Sequence, residues 1–364
     1  MSERVPRVTE KTEIVADAVT LFVGNKVFEG WKDLSITREL NAAASDFQLQ
    51  LVDKWRVDQE PWRVQPGEAV HIHVGKNSLL TGYVDKMEAS VSANQRSVTM
   101  LGRSKTGDLV DCSADASGLT GLNIQEVAEK LCAPFGIRVV MRASPGASFD
   151  TVQIQQGETV FSVLDRLARQ RKLLIYPSYD GNLVFEAEGT RKARAELRQG
   201  VNVLSGTARF DNSNRFSKYI VKGQNIGWVE SVEEKTVAPT GEATDAGITR
   251  NRPLIVMAEG TVDDGSSGDR ATYEASVRRA KSLEVEVELQ GWFQPDGSLW
   301  EINEIVFTDI GFLGVRRKML VKKVVFSKNG SGTTTTLTLI LAGAFDFKKE
   351  KPKEDPLGWT KFTK

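Results

Sequence analysis

Runs in which apolar and polar residues alternate dominate the first hundred residues. Phe47, Leu49 and Leu51 alternate with Gln48 and Gln50, and Val70, Ile72 and Val74 alternate with His71 and His73. A period of two marks strands with one buried face. Val19–Val23 precedes the turn pair Gly24-Asn25, and Asn41–Asp46 reads as a loop. Trp31–Leu40 is a half-buried strand whose alternation slips. Six or more short antiparallel strands at this spacing predict a barrel or sandwich.

The period then changes. Residues 120–131 carry apolar positions at helical spacing and stop near Pro134 and Gly136. Glu158–Ala168 predicts a second amphipathic helix with Thr159 as its N-cap, and a hairpin turns at Tyr179-Asp180-Gly181-Asn182. Strand character resumes at Phe216–Gln224. Val232–Thr249 is polar, with little to bury, and reads as an exposed loop. A third helix is predicted over Asp269–Leu283, followed by strands at Leu283–Leu289 and Trp300–Phe307.

The end of the chain echoes its beginning. Leu79–Val91, a polar turn and Ser97–Gly102 match Met319–Ser327, a polar turn and Leu337–Ile340, about 240 residues later. Two related β-units flanking a different middle suggest a duplicated scaffold, and two copies per chain can double the apparent symmetry of a ring. The expected fold class is mainly β with α+β: two similar antiparallel β-barrel domains, a small α+β domain and an inserted domain. The expected boundaries are 1–110 for the first barrel, 111–210 for the α+β domain and 211–230 with 284–347 for the second barrel. Residues 231–283 form the insertion and 348–364 a charged tail.

Composition narrows the function. Of 364 residues, 48 are Lys or Arg and 48 are Asp or Glu, so the formal net charge is zero. This argues against a dedicated nucleic-acid binder, whose affinity comes from neutralising phosphates. No apolar run reaches the ~18 residues a membrane helix needs, and the first residues lack the apolar core of a signal peptide. Folding in the cytosol is expected. The two cysteines, Cys112 and Cys132, offer no disulfide framework.

Candidate chemistry is sparse. His71 and His73 share one strand face and could hold a metal, but the simpler reading is a surface or interface pair. No Walker loop, nucleophile elbow or zinc-protease motif occurs, so neither catalysis nor a cofactor is expected. Trp55, Trp62, Trp292 and Trp300 lie in or beside loops of the β-units. Each is either a contact anchor or a piece of local core. Basic clusters at Arg191–Arg198, at Arg278 and Arg279, and at Arg316, Arg317 and Lys318 are solvated faces or matches to an acidic partner. Trp359 in the charged tail could dock on a neighbour. Residues 156–164 resemble the opening of a LysM module, which leaves a peptidoglycan-binding or cell-wall-degrading protein, including a muramidase, as the alternative function.

Three stretches carry a fuller resemblance: Gly102–Asp111 (Gly-Arg-Ser-Lys-Thr-Gly-Asp-Leu-Val-Asp), the pair Gly291-Trp292 with Asp296–Trp300, and Leu80–Asp85. In these the chain resembles the baseplate hub proteins of contractile-tailed phages and prophages. The resemblance implies a homotrimer in which two barrels per chain make a pseudo-sixfold ring. That ring would join the sixfold tail tube protein to the threefold central spike protein, contact other baseplate proteins and leave a channel for DNA, without binding it stably. It implies a place in the virion tail after assembly in the host cytoplasm.

Overall fold

The structure, a computed structural model, describes residues 19–24, 26–28, 32–40, 42–53, 64–93, 96–115, 119–222, 240–257 and 264–343. The chain divides into two compact units, residues 1–206 with 286–339 and residues 207–285 with 340–364.

A fourteen-stranded sheet organises the first unit. Val19–Val23 pairs with Ala69–Val74, which pairs with Asn77–Val91; Arg96–Ser104, Asp46–Asp53 and Asp33–Glu39 follow in order. All these pairs are antiparallel. Asp33–Glu39 then pairs with Val315–Asn329, so the echoed halves of the sequence lie in one continuous ladder. Gly332–Leu341, Leu283–Gln290 and Val203–Phe210 complete the path, and Glu304–Ile310 branches from Val315–Asn329. Among the described residues this path is open and closes no barrel. The echo is borne by two strands of 15 residues each, Asn77–Val91 and Val315–Asn329.

The strand expected to slip does not. Leu34, Ile36, Arg38 and Leu40 all point inward, and the break in the apolar pattern is a buried arginine. Two glycines let the first hairpin pack. A Cβ on Gly102 would lie 2.1 Å from the Tyr83 carbonyl oxygen and 2.5 Å from the Phe47 ring, and one on Gly82 would lie 1.9 Å from the Arg103 carbonyl oxygen.

The same unit holds a small α+β module. Helix Ile124–Cys132 begins at a capping box made by Asn123 and Glu126. Helix Val160–Gln170 is capped by Thr159, as its sequence predicts. Val127, Leu131, Val163, Leu164 and Leu167 pack with Ile175, Leu183 and Phe185 of the predicted hairpin into one core. Residues 120–122, expected as helix, form a short strand with Phe149–Thr151 instead, because Asn123 stops the helix there. Residues 300–303, expected as strand, lead into Glu304–Ile310 through Asn303 at φ +64°.

In the second unit, Lys218–Lys222 pairs with Thr240–Thr244 and Pro253–Met257, and helix Asp264–Lys281 covers one face through Ala271 and Ala275. Thr240–Thr244 is thus a strand where an exposed loop was expected; residues 232–239 lie outside the described residues. The residue that admits the helix is Gly241, where a Cβ would lie 2.0 Å from the Ser267 backbone. Beneath this sheet the buried Arg215 makes two 2.9 Å hydrogen bonds to Asp245.

Candidate functional site

Two features bear on function: a polar joint inside the first unit, and the strand edges at the margin of its sheet.

The joint gathers three stretches that are distant in sequence. Arg38 Nη2 donates to the Pro177 carbonyl (2.8 Å) and Nη1 to Glu301 (3.3 Å), while the guanidinium lies 3.6 Å from the centre of the Tyr179 ring. The Tyr179 hydroxyl donates to the Trp300 carbonyl at 2.8 Å. Glu186 accepts from Tyr176, Thr190 and Asn303, with Arg142 at 3.6 Å and Arg191 at 3.4 Å. Burial works to raise the Glu186 carboxyl, but these donors and the Arg191 charge bring it below the usual value. Glu304 accepts from Gln294 Nε2 at 3.1 Å and from the Glu301 backbone, with a looser Arg191 at 4.0 Å. Burial and the neighbouring Glu301 push it up to about 7. Burial also pushes up the Tyr176 and Tyr179 hydroxyls. These hydrogen bonds and ion pairs join residues of the sheet to residues of the α+β module, so the cluster fastens the one to the other.

The two long motifs of the sequence are parts of this fastening. Arg103 bridges Asp85 and Asp111, each at 2.7 Å, and Lys105 Nζ donates to the Gly136 carbonyl at 2.7 Å. The hydrogen bonds to Asp111 and Asp85 raise the Arg103 guanidinium and fix its charge. Trp292 donates its indole N–H to the Ser327 and Thr334 carbonyls, both at 3.0 Å, and packs edge-on against Phe326.

The edges are different in kind. Asp33–Glu39 is closed on one side by residues 323–328 of Val315–Asn329. Among the described residues, Val203–Phe210 stands last in the strand order. On the outer side of Asn77–Val91, pairing with Ala69–Val74 stops at Tyr83, with further backbone bonds to Val84; among the described residues no ladder continues along Asp85–Val91. Open backbone edges recruit further strands.

The candidate residues fall into three groups. Trp292 and Trp300 are buried within the chain. His71 and His73 lie on the outer strand face, His71 Nδ1 3.2 Å from Thr81 and His73 edge-on to Phe22 at 5.3 Å; burial and His71 lower the His73 pKa. Arg316 is exposed and 3.5 Å from Asp309, and Arg317 is half-buried beside it. Trp55, Trp62 and Trp359 lie outside the described residues. Among the described residues no group of three His, Cys, Asp or Glu side chains could hold a metal, and no helix is long and apolar enough to cross a membrane. Sequence reasoning passed over Arg38, Tyr179, Glu186 and Phe312. The interrupted alternation at Arg38 and the Gly-Phe-Leu-Gly run at 311–314 were the signals.

Comparison with known proteins agrees with this picture. Residues 18–104 match the N-terminal domain model of Mu phage baseplate assembly protein GpP-like proteins. Residues 106–187 match the second domain of gp44-like baseplate hub proteins, and 264–348 the fourth domain of Mu phage baseplate assembly protein GpP. The chain is 32% identical over 355 residues to baseplate hub protein gp44 of Escherichia phage Mu, covering 94% of this chain and 93% of that protein. The crystal structure of the 43 kDa tail protein of prophage MuSo2 from Shewanella oneidensis superimposes with a TM-score of 0.83 at 31% identity, over 91% of this chain and 100% of that one. A tail protein of Neisseria meningitidis MC58 shares the fold, with a TM-score of 0.77 at 23% identity over 91% of this chain and 98% of that one.

Proposed function

The chain belongs to the baseplate hub family of phage Mu and its relatives, and on that premise we propose that it closes into a homotrimeric ring joining tail tube to central spike. It is a structural protein of the phage tail baseplate, not an enzyme. The ring, its partners and its channel are our reading.

One observation carries the reading. The order Asp33–Glu39, Asp46–Asp53, Arg96–Ser104, Asn77–Val91, Ala69–Val74 recurs as Val203–Phe210, Leu283–Gln290, Gly332–Leu341, Val315–Asn329, Glu304–Ile310. We take these sets as two similar barrel-like domains. Inside one chain, the edge strand of the first set pairs with the far half of the long strand of the second. The corresponding pair, Val203–Phe210 and Asp85–Val91, is left over. A second copy supplies a partner to each edge, and the contact is head-to-tail, which generates a ring where the rotation between copies closes. Three chains with two sets each give six similar positions, which suits a sixfold tube above a threefold spike. A formal net charge of zero suits a channel that DNA traverses without being held. Other baseplate proteins would meet its rim, Arg316, Arg317, His71 and His73 among the contacts. Assembly would take place in the host cytoplasm.

Mass photometry of the purified chain tests this. Trimers growing with concentration, and hollow three-lobed rings in negative stain, are expected. A strict monomer at micromolar concentration overturns the proposal.

A further inference from the structure

At the margin of the first unit, three bare apolar side chains lie on segments that are tied to one another. Phe312 is 89% exposed, Val201 78% and Leu204 56%. Phe312 is not a loose side chain on a loose loop. It sits in the 3₁₀ turn Gly311–Leu313, which ends at Gly314 in the left-handed region, and its N–H donates to Gln199 Oε1 at 3.0 Å. Gln199 N–H in turn donates to the Asp309 carbonyl at 3.0 Å, tying residues 198–204 to the hairpin that carries the turn. Leu313 lies against Gly206, where a Cβ would be 3.3 Å from its Cδ1. The turn therefore holds a naked phenylalanine in a fixed position, beside the strand that ends the ladder.

The internal seam of the chain shows what such residues do when covered. On the edge strand of the first set, the inward residues Leu34 and Ile36 are 3% and 0% exposed, with Val315–Asn329 paired alongside. On the edge strand of the second set, the inward Leu204 stands open. The strand segment left over elsewhere, Asp85–Val91, carries its own bare apolar residue, Val91 at 71% exposure, with Met87 half-covered. In the register of the internal seam, Asp33–Glu39 runs antiparallel to residues 323–328. The same antiparallel docking brings the start of Val203–Phe210 to the end of Asn77–Val91, so that Val201 and Leu204 face the Met87–Val91 stretch.

We infer that Phe312, Val201 and Leu204 form the apolar anchor by which one copy of this chain grips the Met87–Val91 edge of a second copy. The inference rests on the ring reading and adds to it a register and an anchor. Strand pairing alone is permissive, because backbone edges are alike along their length. An apolar anchor at one end selects a single register and hence a closed ring over a slipped filament. Aromatic residues at the centre of a desolvated contact supply most of its energy.

Two measurements test it, after mass photometry has established that the native chain trimerises. If the native chain stays monomeric, the ring reading itself falls. If it trimerises, Phe312→Ser is expected to raise the concentration at half-assembly by at least about tenfold, with an unchanged circular dichroism spectrum. Val91→Cys with Val201→Cys, in a chain also carrying Cys112→Ser, is expected to give covalent trimers under mild oxidation, and each single variant none. A native trimer whose assembly is unaffected by Phe312→Ser, and whose paired cysteines never cross-link, overturns the anchor and leaves the ring.

Discussion

Glu304 offers a quantitative test of the polar joint. Its carboxyl is buried, with Gln294 as its side-chain donor, and titrates at about 7 against an ordinary 4.5. The folded chain therefore holds this proton more tightly than the unfolded chain does. Its stabilising contribution is complete below about pH 4.5 and disappears as pH rises through 7. At 1.36 kcal/mol per pKa unit, the full effect is about 3 kcal/mol, of which about 2–3 kcal/mol is lost between pH 5 and 8. Glu304→Gln keeps the shape, stays neutral throughout and still accepts from Gln294. Urea denaturation followed by tryptophan fluorescence, at half-unit steps from pH 5 to 8, measures the difference between variant and native chains. The variant's lead over the native chain should grow by about 2–3 kcal/mol between pH 5 and pH 8. His73, lowered by burial, titrates in both chains and cancels in the comparison. A difference that does not change with pH refutes the account, because it leaves no proton uptake at Glu304 to explain.

Gly102→Ala drives a methyl into the Tyr83 carbonyl and the Phe47 ring and should cost about 3 kcal/mol or more, read as a drop in melting temperature. Arg215→Met leaves Asp245 buried without its two hydrogen bonds; a loss of about 3–5 kcal/mol is expected, with hydrogen exchange quickening in strands Lys218–Lys222 and Thr240–Thr244 but not in Asp46–Asp53. Trp292→Phe gives up the indole N–H shared by two carbonyls on the C-terminal hairpin and should lower stability by about 1–2 kcal/mol in denaturant titration.

The capped helices were legible because their signals are local. Asn123 with Glu126, and Thr159 with Ser162, lie within one turn of each other, and neighbouring residues alone decide such bonds. The alternating strands were legible for the same reason, as were the echoed hairpins. Thr240–Thr244 was not, since a strand of small and polar residues shows no apolar period. It exists because Gly241 lets a helix approach and because Lys218–Lys222 offers an edge. Arg38 was misread as a slip in phase, because nothing near it in sequence names the Pro177 carbonyl, Tyr179 or Glu301 as partners.

By itself the amino-acid sequence determined where most of the strands and the capped helices lie, that similar strand-turn-strand patterns occur near both ends, and which family the chain resembles, since each is carried by periodicity or by motifs read along one dimension. Tertiary structure alone decided that Asp33–Glu39 pairs with Val315–Asn329, that the long motifs are fastenings within the first unit, and that Phe312 stands bare. Those outcomes depend on which backbone groups and side chains are already satisfied by distant residues, and that is settled only when the chain has folded on itself.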